Sequence, residues 1–479
     1  MMTMMRSMRL AWMACLLSAA AIPALAMSAE TSAPAGKAKL RQQQREDVMF
    51  VRTQYLPKEM AYTPATRALA QLQLQHLERE AGSLSPAQFM VGLMQVGALA
   101  DNAHSGLRIP AALDSSGARL PLHLLWLSDA LIVARATQSA SDLAGARVLR
   151  IEGRSPASMF EGAKVLLGGN EAGRKHWIND LIERAGVLHA LGLAKSPDAI
   201  ALTLQLPDGR IVERTLAMQP AASLGVSAEV ARLWSPEPVA DERGWTSALT
   251  TDALPQYLRE ADRPFRTVAM TPLHALYVQL RSNEDENGIS IKKFVDEVRT
   301  QIATAPVENL IVDLRFDVGG NLTTTLDFMR QLPTLATTRT YLLVGPYTFS
   351  AGIISAAAIS KHAGGRVTIV GEPIGDRLHF WSEGARIDLP HSHLAFRYTD
   401  GQFNLADGCT AEPACMDDRY NIDVNGAPLD PDLPAPLNAA AYFAKRDPAL
   451  EAVGKDIAER ACKSCSDAPK SAVAAAPSL

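Results

Sequence analysis

The stretch GPYTFSAGIISAAAISKHAGG, residues 345–365, sets Ser350 between the end of an apolar run, TYLLVG (340–345), and a segment dense in alanine and isoleucine. The first run reads as a buried strand and the second as a buried helix, so the chain passes from strand to helix at this serine. Two readings of Ser350 stay open. As a helix N-cap, its hydroxyl accepts from backbone N–H groups two or three residues on. As a nucleophile, it lies where the helix N-terminus and the Ala351 amide stabilise developing negative charge.

Working outward, the same alternation recurs on both sides. Strand ALYVQL (275–280) leads to helix ISIKKFVDEVRTQIATA (289–305), then to strand NLIVDLR (309–315) and a Gly319-Gly320 turn. Helix TTTLDFMRQLPTL (323–335) follows, and strand RVTIVGE (366–372) comes after the Ser350 helix. Strands alternating with helices of this length predict right-handed βαβ units, with a site at the strands' C-terminal ends. Ser350 and the Gly-Gly turn both fall at such ends. Glycines there let a backbone N–H approach a ligand oxygen with no Cβ in the way, as an oxyanion hole requires, although a plain strand-to-helix turn uses them too.

The N-terminal part has a different texture. RALAQLQLQHLERE (67–80) and SPAQFMVGLMQVGALAD (85–101) repeat apolar residues three and four apart, and Ser85-Pro86 suits an N-cap followed by proline in the first turn. Between 119 and 217 short strands alternate, LPLHLLWL, ALIVARAT and ARVLRIEG among them. The long run IALTLQLPDGRIVERTLAM turns at Pro207-Asp208-Gly209, as a hairpin does. A helical insertion occupies 156–196. The domain plan is a leader at 1–26, a helical region at 27–115, a PDZ-like β-rich domain at 116–218 and a linker at 219–261. An α/β catalytic domain then covers 262–445, with a tail at 446–479.

The leader is read from Arg6 and Arg9, an apolar core from Leu10, and Ala24-Leu25-Ala26, a small-x-small cleavage pattern that puts the mature start at Met27. The full chain of 479 residues carries a formal charge of -4, and losing those two arginines makes the exported form about -6. Basic residues are neither in excess nor clustered, which argues against nucleic acid as a partner. After the leader no segment is long and apolar enough to span a bilayer. Four cysteines follow the leader, Cys409, Cys415, Cys462 and Cys465; in an oxidising compartment they predict disulfides and no free thiol. His379, His391 and His393 raise a metal reading, but with no third ligand in sight it is set aside.

DLRFDVGGN (313–321), YTFSAG (347–352) and GGRVTIVGEPIG (364–375) together resemble the S41 serine peptidases, the group of tail-specific or C-terminal processing proteases and the tricorn core. The resemblance covers most of 38–435. It implies an α/β fold with a crotonase-like βαβ core, an N-terminal helical region and a PDZ-like domain. It also implies Ser350 as nucleophile, with the oxyanion held by Ala351 and by Gly319 or Gly320. The processing proteases use a lysine base after a GE element; here that segment is GEPIGDRLHF (371–380), with Asp376 near the lysine's place. Lys361 lies three helical turns from Ser350.

The tricorn-like branch uses histidine, and LADNAHSGL (99–107) resembles its element, which makes His104 the base. YNIDVNGAPLDPDLP (420–434) resembles the family's ending and offers Asp423 as the supporting acid, one methylene shorter than the usual glutamate, with Glu372 or Asp376 as alternatives. The function implied is an exported serine-type endopeptidase acting on peptides or proteins, without a cofactor. The other reading is a non-catalytic member of the same fold that binds an apolar ligand or peptide C-termini.

Overall fold

The computed structural model describes residues 32–108, 117–224, 233–237, 244–305, 307–409 and 414–466. The leader, the Met27 start and residues 467–479 lie outside the described residues. The centre of the molecule is a six-stranded sheet. Its strands, in spatial order, are Phe265–Met270, Ala275–Leu280, Val307–Asp313, Ala336–Val344, Val367–Gly371 and Leu433–Pro434. The first pair is antiparallel and every later pair is parallel. Tyr277, Val278, Leu310, Ile311, Val312, Leu342 and Leu343 are fully buried, as expected of strands covered on both faces.

Helix Ile291–Thr304 packs on this sheet through Ile291, Phe294, Val295, Val298 and Ile302, spaced three and four apart. Each such side chain contributes roughly 1.5–3 kcal/mol when fully buried. Helix Ala351–His362 is buried on every side from Ala351 to Ser360. Its alanines keep it thin enough to sit between neighbours, and its two buried hydroxyls are paired: Ser355 Oγ donates to Asn283 Oδ1 at 2.9 Å and Ser360 Oγ to the Pro428 carbonyl at 3.0 Å.

A second six-stranded sheet is antiparallel and runs Leu122–Trp126, Leu131–Thr137, Arg147–Ile151, Ala199–Gln205 and Ile211–Ala217, with Trp245–Ser247 added beside Leu131–Thr137. Gly209, at φ +87°, turns the last hairpin. Four α-helices, Pro156–Ala163, Glu171–Trp177, Asn179–Ile182 and Ala185–Ala190, lie between Ile151 and Ala199. Helices Pro64–Glu80 and Pro86–Ala98 each begin in a capping box, at Thr63 and Ser85. No helix among the described residues is long and apolar enough to cross a membrane.

Two expectations need correction. The segment assigned to a tail from 446 forms helix Pro448–Ser466, whose Ala449 and Val453 pack on Tyr277, Ile311 and Tyr341 of the central sheet. Its start was visible in the sequence as Asp447-Pro448, an N-capping acid before a proline; Asp447 Oδ1 accepts from the amides of Ala449 and Leu450. Cys409 and Cys415 form a disulfide, but Cys462 is an exposed free thiol, because that helix continues through it and turns it to solvent.

Candidate active site

Strand Ala336–Val344 ends at a turn in which the Thr348 amide donates to the Gly345 carbonyl, and Thr348 Oγ1 bonds the Leu314 carbonyl of the adjacent strand's exit. Ser350 follows with φ 55° and ψ -124°. Few L-residues adopt that conformation, which costs of order 1–3 kcal/mol and is held by its surroundings. The surroundings are specific. The Phe349 amide donates to the Asp317 carbonyl at 3.0 Å, and the Ser350 carbonyl accepts the first helical bonds from Ile353 and Ile354. The Ser350 side chain makes no capping bond. Backbone alone starts the helix, and Ser350 lines a cavity of about 480 Å³ together with His104.

Gly319 and Gly352 allow the two strand exits to touch. A Cβ on Gly319 would stand 2.7 Å from Ser350 Cβ, and one on Gly352 would stand 2.4 Å from the Asp317 carbonyl oxygen. The Gly319 amide is already committed, donating to Asp317 Oδ1 at 3.0 Å. The Gly320 and Ala351 amides have no acceptor among the described residues. Behind the loop, Asn283 Nδ2 donates to both oxygens of the fully buried Asp317, and Asn283 Oδ1 accepts from Thr325 and Ser355. Burial pushes the Asp317 carboxyl up to about 7, against the pull of the Gly319 amide and Asn283. It therefore keeps its proton to higher pH than in the unfolded chain, and its contribution to stability declines as pH rises from about 4 to 7.

His104 sits in the turn after helix Pro86–Ala98, its ring stacked between Phe349 (4.3 Å) and Phe380 (5.2 Å). Neither ring nitrogen has a hydrogen-bond partner. Nδ1 faces Asp376 Oδ2 at 3.8 Å, and that oxygen is likewise buried and unpartnered. Burial, then the charges of Arg108 and Arg397, lower the imidazole to about 3, while burial raises Asp376 to about 6. The two loops are clamped together by Arg377, whose guanidinium donates to both the carboxylate and the backbone carbonyl of Asp101 at 2.8 Å. Asn102 anchors the same turn through the backbone of Trp381.

The structure thus brings Ser350, His104, Gly320 and Ala351 to one cavity and sets Asp376 beside the imidazole. It does not bring Asp423 there: that residue is exposed and lies outside the cavity lining. Glu372 is half-buried elsewhere, accepting from the Leu437 amide at 3.4 Å, and Lys361 Nζ reaches the Asn425 carbonyl. His391 pairs with Glu46, and His379 shares a hydrogen bond with Gln402 at 2.7 Å. Asp317 and Asn283 escaped the sequence reading; the only signal for Asp317 was an acid two residues before the glycine pair.

No family model matches the chain, and no curated protein does. Among solved structures, mature CPAF aligns over 90% of this chain and 99% of its own with a TM-score of 0.55 at 12% identity. CPAF complexed with lactacystin aligns over 89% and 99%, with a TM-score of 0.54 at 12% identity. The photosystem II D1 C-terminal processing protease matches over 89% of this chain and 97% of its own, at 14% identity and a TM-score of 0.35. These are S41-family peptidases, and what the chain shares with CPAF is the fold.

Proposed function

We propose that this chain, folded as CPAF is, is an exported serine-type peptidase. The six-stranded parallel-rich sheet is then its crotonase-like core and the antiparallel sheet its PDZ-like domain. One observation carries the reading: Ser350 is held in a strained elbow with its hydroxyl uncommitted, in a cavity with a buried histidine whose ring nitrogens have no partner. A capping serine would have its oxygen on the helix amides. Export rests on the leader-like start and is in keeping with the Cys409–Cys415 disulfide.

In this mechanism His104 is neutral across the physiological range and takes the Ser350 proton on Nε2 as Oγ bonds the substrate carbonyl carbon. The Gly320 and Ala351 amides receive the oxyanion. Collapse breaks the C–N bond, the imidazolium returns its proton to the leaving amine, and water, activated by the same imidazole, releases the acyl group. Ionised Asp376 at Nδ1 fixes the tautomer and stabilises the imidazolium once the ring closes the 3.8 Å gap. A fluorophosphonate at neutral pH tests the reading: intact-mass analysis should find one adduct, on Ser350. A folded protein that takes no label on long incubation and binds an apolar ligand instead overturns it in favour of a binding protein.

The pH dependence has a defined sign. Asp376 supports the base only as the carboxylate, so the labelling rate should climb with pH through about 6, while His104, already neutral, adds no limb there. Asp376→Asn should flatten that limb. A limb near 6 that survives the substitution would remove Asp376 from this role.

A further inference from the structure

Part of the cavity wall comes from a three-stranded sheet of Gly106–Arg108, Ala395–Tyr398 and Ala385–Asp388. Its register puts Arg397 directly across from Gly106 on one side and from Arg386 on the other. Arg108, two residues beyond Gly106, lies on the same face. Like charges directly opposite one another destabilise a sheet. All three arginines line the cavity that holds Ser350 and His104.

Their charges are poorly balanced. Arg386 pairs with Asp388, but Arg108 reaches only the Ala103 carbonyl (2.9 Å) and Arg397 only the Glu383 carbonyl (3.2 Å). Neither has a carboxylate partner among the described residues. Both side chains are exposed to the cavity, and desolvation, then the charge of Arg397, pushes the Arg108 guanidinium below its ordinary value. Glu383 also borders the cavity, but its carboxylate forms no ion pair with Arg108, Arg386 or Arg397.

We propose that Arg108 and Arg397 form an anion subsite that binds a carboxylate of the peptide substrate beside the scissile bond. This deepens the peptidase reading and rests on it. A planar guanidinium presents a fork of donors that matches a carboxylate, and two such forks line one cavity with no carboxylate partner among the described residues. The carboxylate has two sources, an Asp or Glu side chain or the end of the chain, and the same experiment separates them.

The test measures binding rather than cleavage, in Ser350→Ala, by fluorescence anisotropy. Glu is scanned through a neutral octapeptide with blocked ends against Gln at the same position, and the neutral peptide is compared as free acid and as amide. At low salt at least one carboxylate should bind about tenfold tighter than its neutral match, and the preference should shrink as salt rises. Arg397→Gln and Arg108→Gln should each erode it, with folding checked by circular dichroism. A preference at one scanned position assigns the subsite to a side chain, and a preference for the free acid assigns it to the chain end. Equal affinity for every matched pair in protein with intact arginines overturns the proposal, whether or not the variants fold. Fluorophosphonate labelling of the unmutated protein is scored separately, so a failed peptidase reading and a failed anion subsite give different results.

Discussion

Ser350→Ala abolishes fluorophosphonate labelling and lowers peptide hydrolysis to background, a loss of roughly 10⁶ in turnover where a serine and its histidine act as one unit. His104→Ala falls nearly as far, because the hydroxyl is a weak nucleophile until its proton has somewhere to go. The double variant is no worse than either single one, the signature of residues working on a single step. Stability should not show the loss that a removed cap brings. Ser350 makes no capping bond to lose, and alanine keeps the same strained φ, so Ser350→Ala should unfold within about 1 kcal/mol of the parent. A variant that stays active within tenfold, measured on protein free of contaminating peptidase, ends the nucleophile assignment.

The second large effect concerns Arg315, at the exit of strand Val307–Asp313. Its guanidinium bonds both oxygens of Asp313, at 3.0 and 2.7 Å, and both oxygens of Asp447, at 2.9 and 3.0 Å. Asp313 is fully buried and also accepts from Tyr277 Oη at 2.5 Å. Burial works to raise the Asp313 pKa, but the Arg315 charge outweighs it and holds the carboxyl below its ordinary value. Arg315→Met leaves two acids buried without their cation and should cost about 3–5 kcal/mol. The sign follows from that lowered pKa. Asp313 stabilises the fold above the unfolded carboxylate pKa and loses this as pH falls, so the difference between Arg315→Met and parent, read from urea melts, should be full at pH 7 and shrink below pH 4. Asp447 also caps helix Pro448–Ser466, so the variant should loosen that helix from the sheet. Equal melting midpoints at pH 7 would show that the network adds nothing.

Much of the fold was legible because it is written in local periodicity. Ala275–Leu280 could be read to the residue, since a six-residue run apolar but for Gln279 and bounded by His274 and Arg281 is what a covered strand needs. Helix Ile291–Thr304 was legible from its apolar stripe, and the hairpin at 207–209 from its turn residues. Helix Pro448–Ser466 was missed because its exposed positions dominate the composition, and among its described side chains only Ala449 and Val453 are firmly in the core.

The sequence by itself determined the alternation of strand and helix, the serine at a strand exit and the glycine pair at the neighbouring exit, because each depends on residues close together in the chain. Tertiary structure alone decided what Ser350 does with its hydroxyl: N-cap and elbow differ in one backbone conformation, which the Asp317 carbonyl and the close approach of Gly319 impose from another strand. It also decided which acid faces His104. Asp376 and Asp423 look alike as letters, but Arg377 ties the first to the turn bearing His104, while the second is left in solvent. The arginine wall has the same origin, since Arg108 and Arg397 stand 289 positions apart in the chain and meet only through the register of two strands. Periodicity is a local property of a chain, whereas the field at a site is the sum of charges that folding gathers from distant segments.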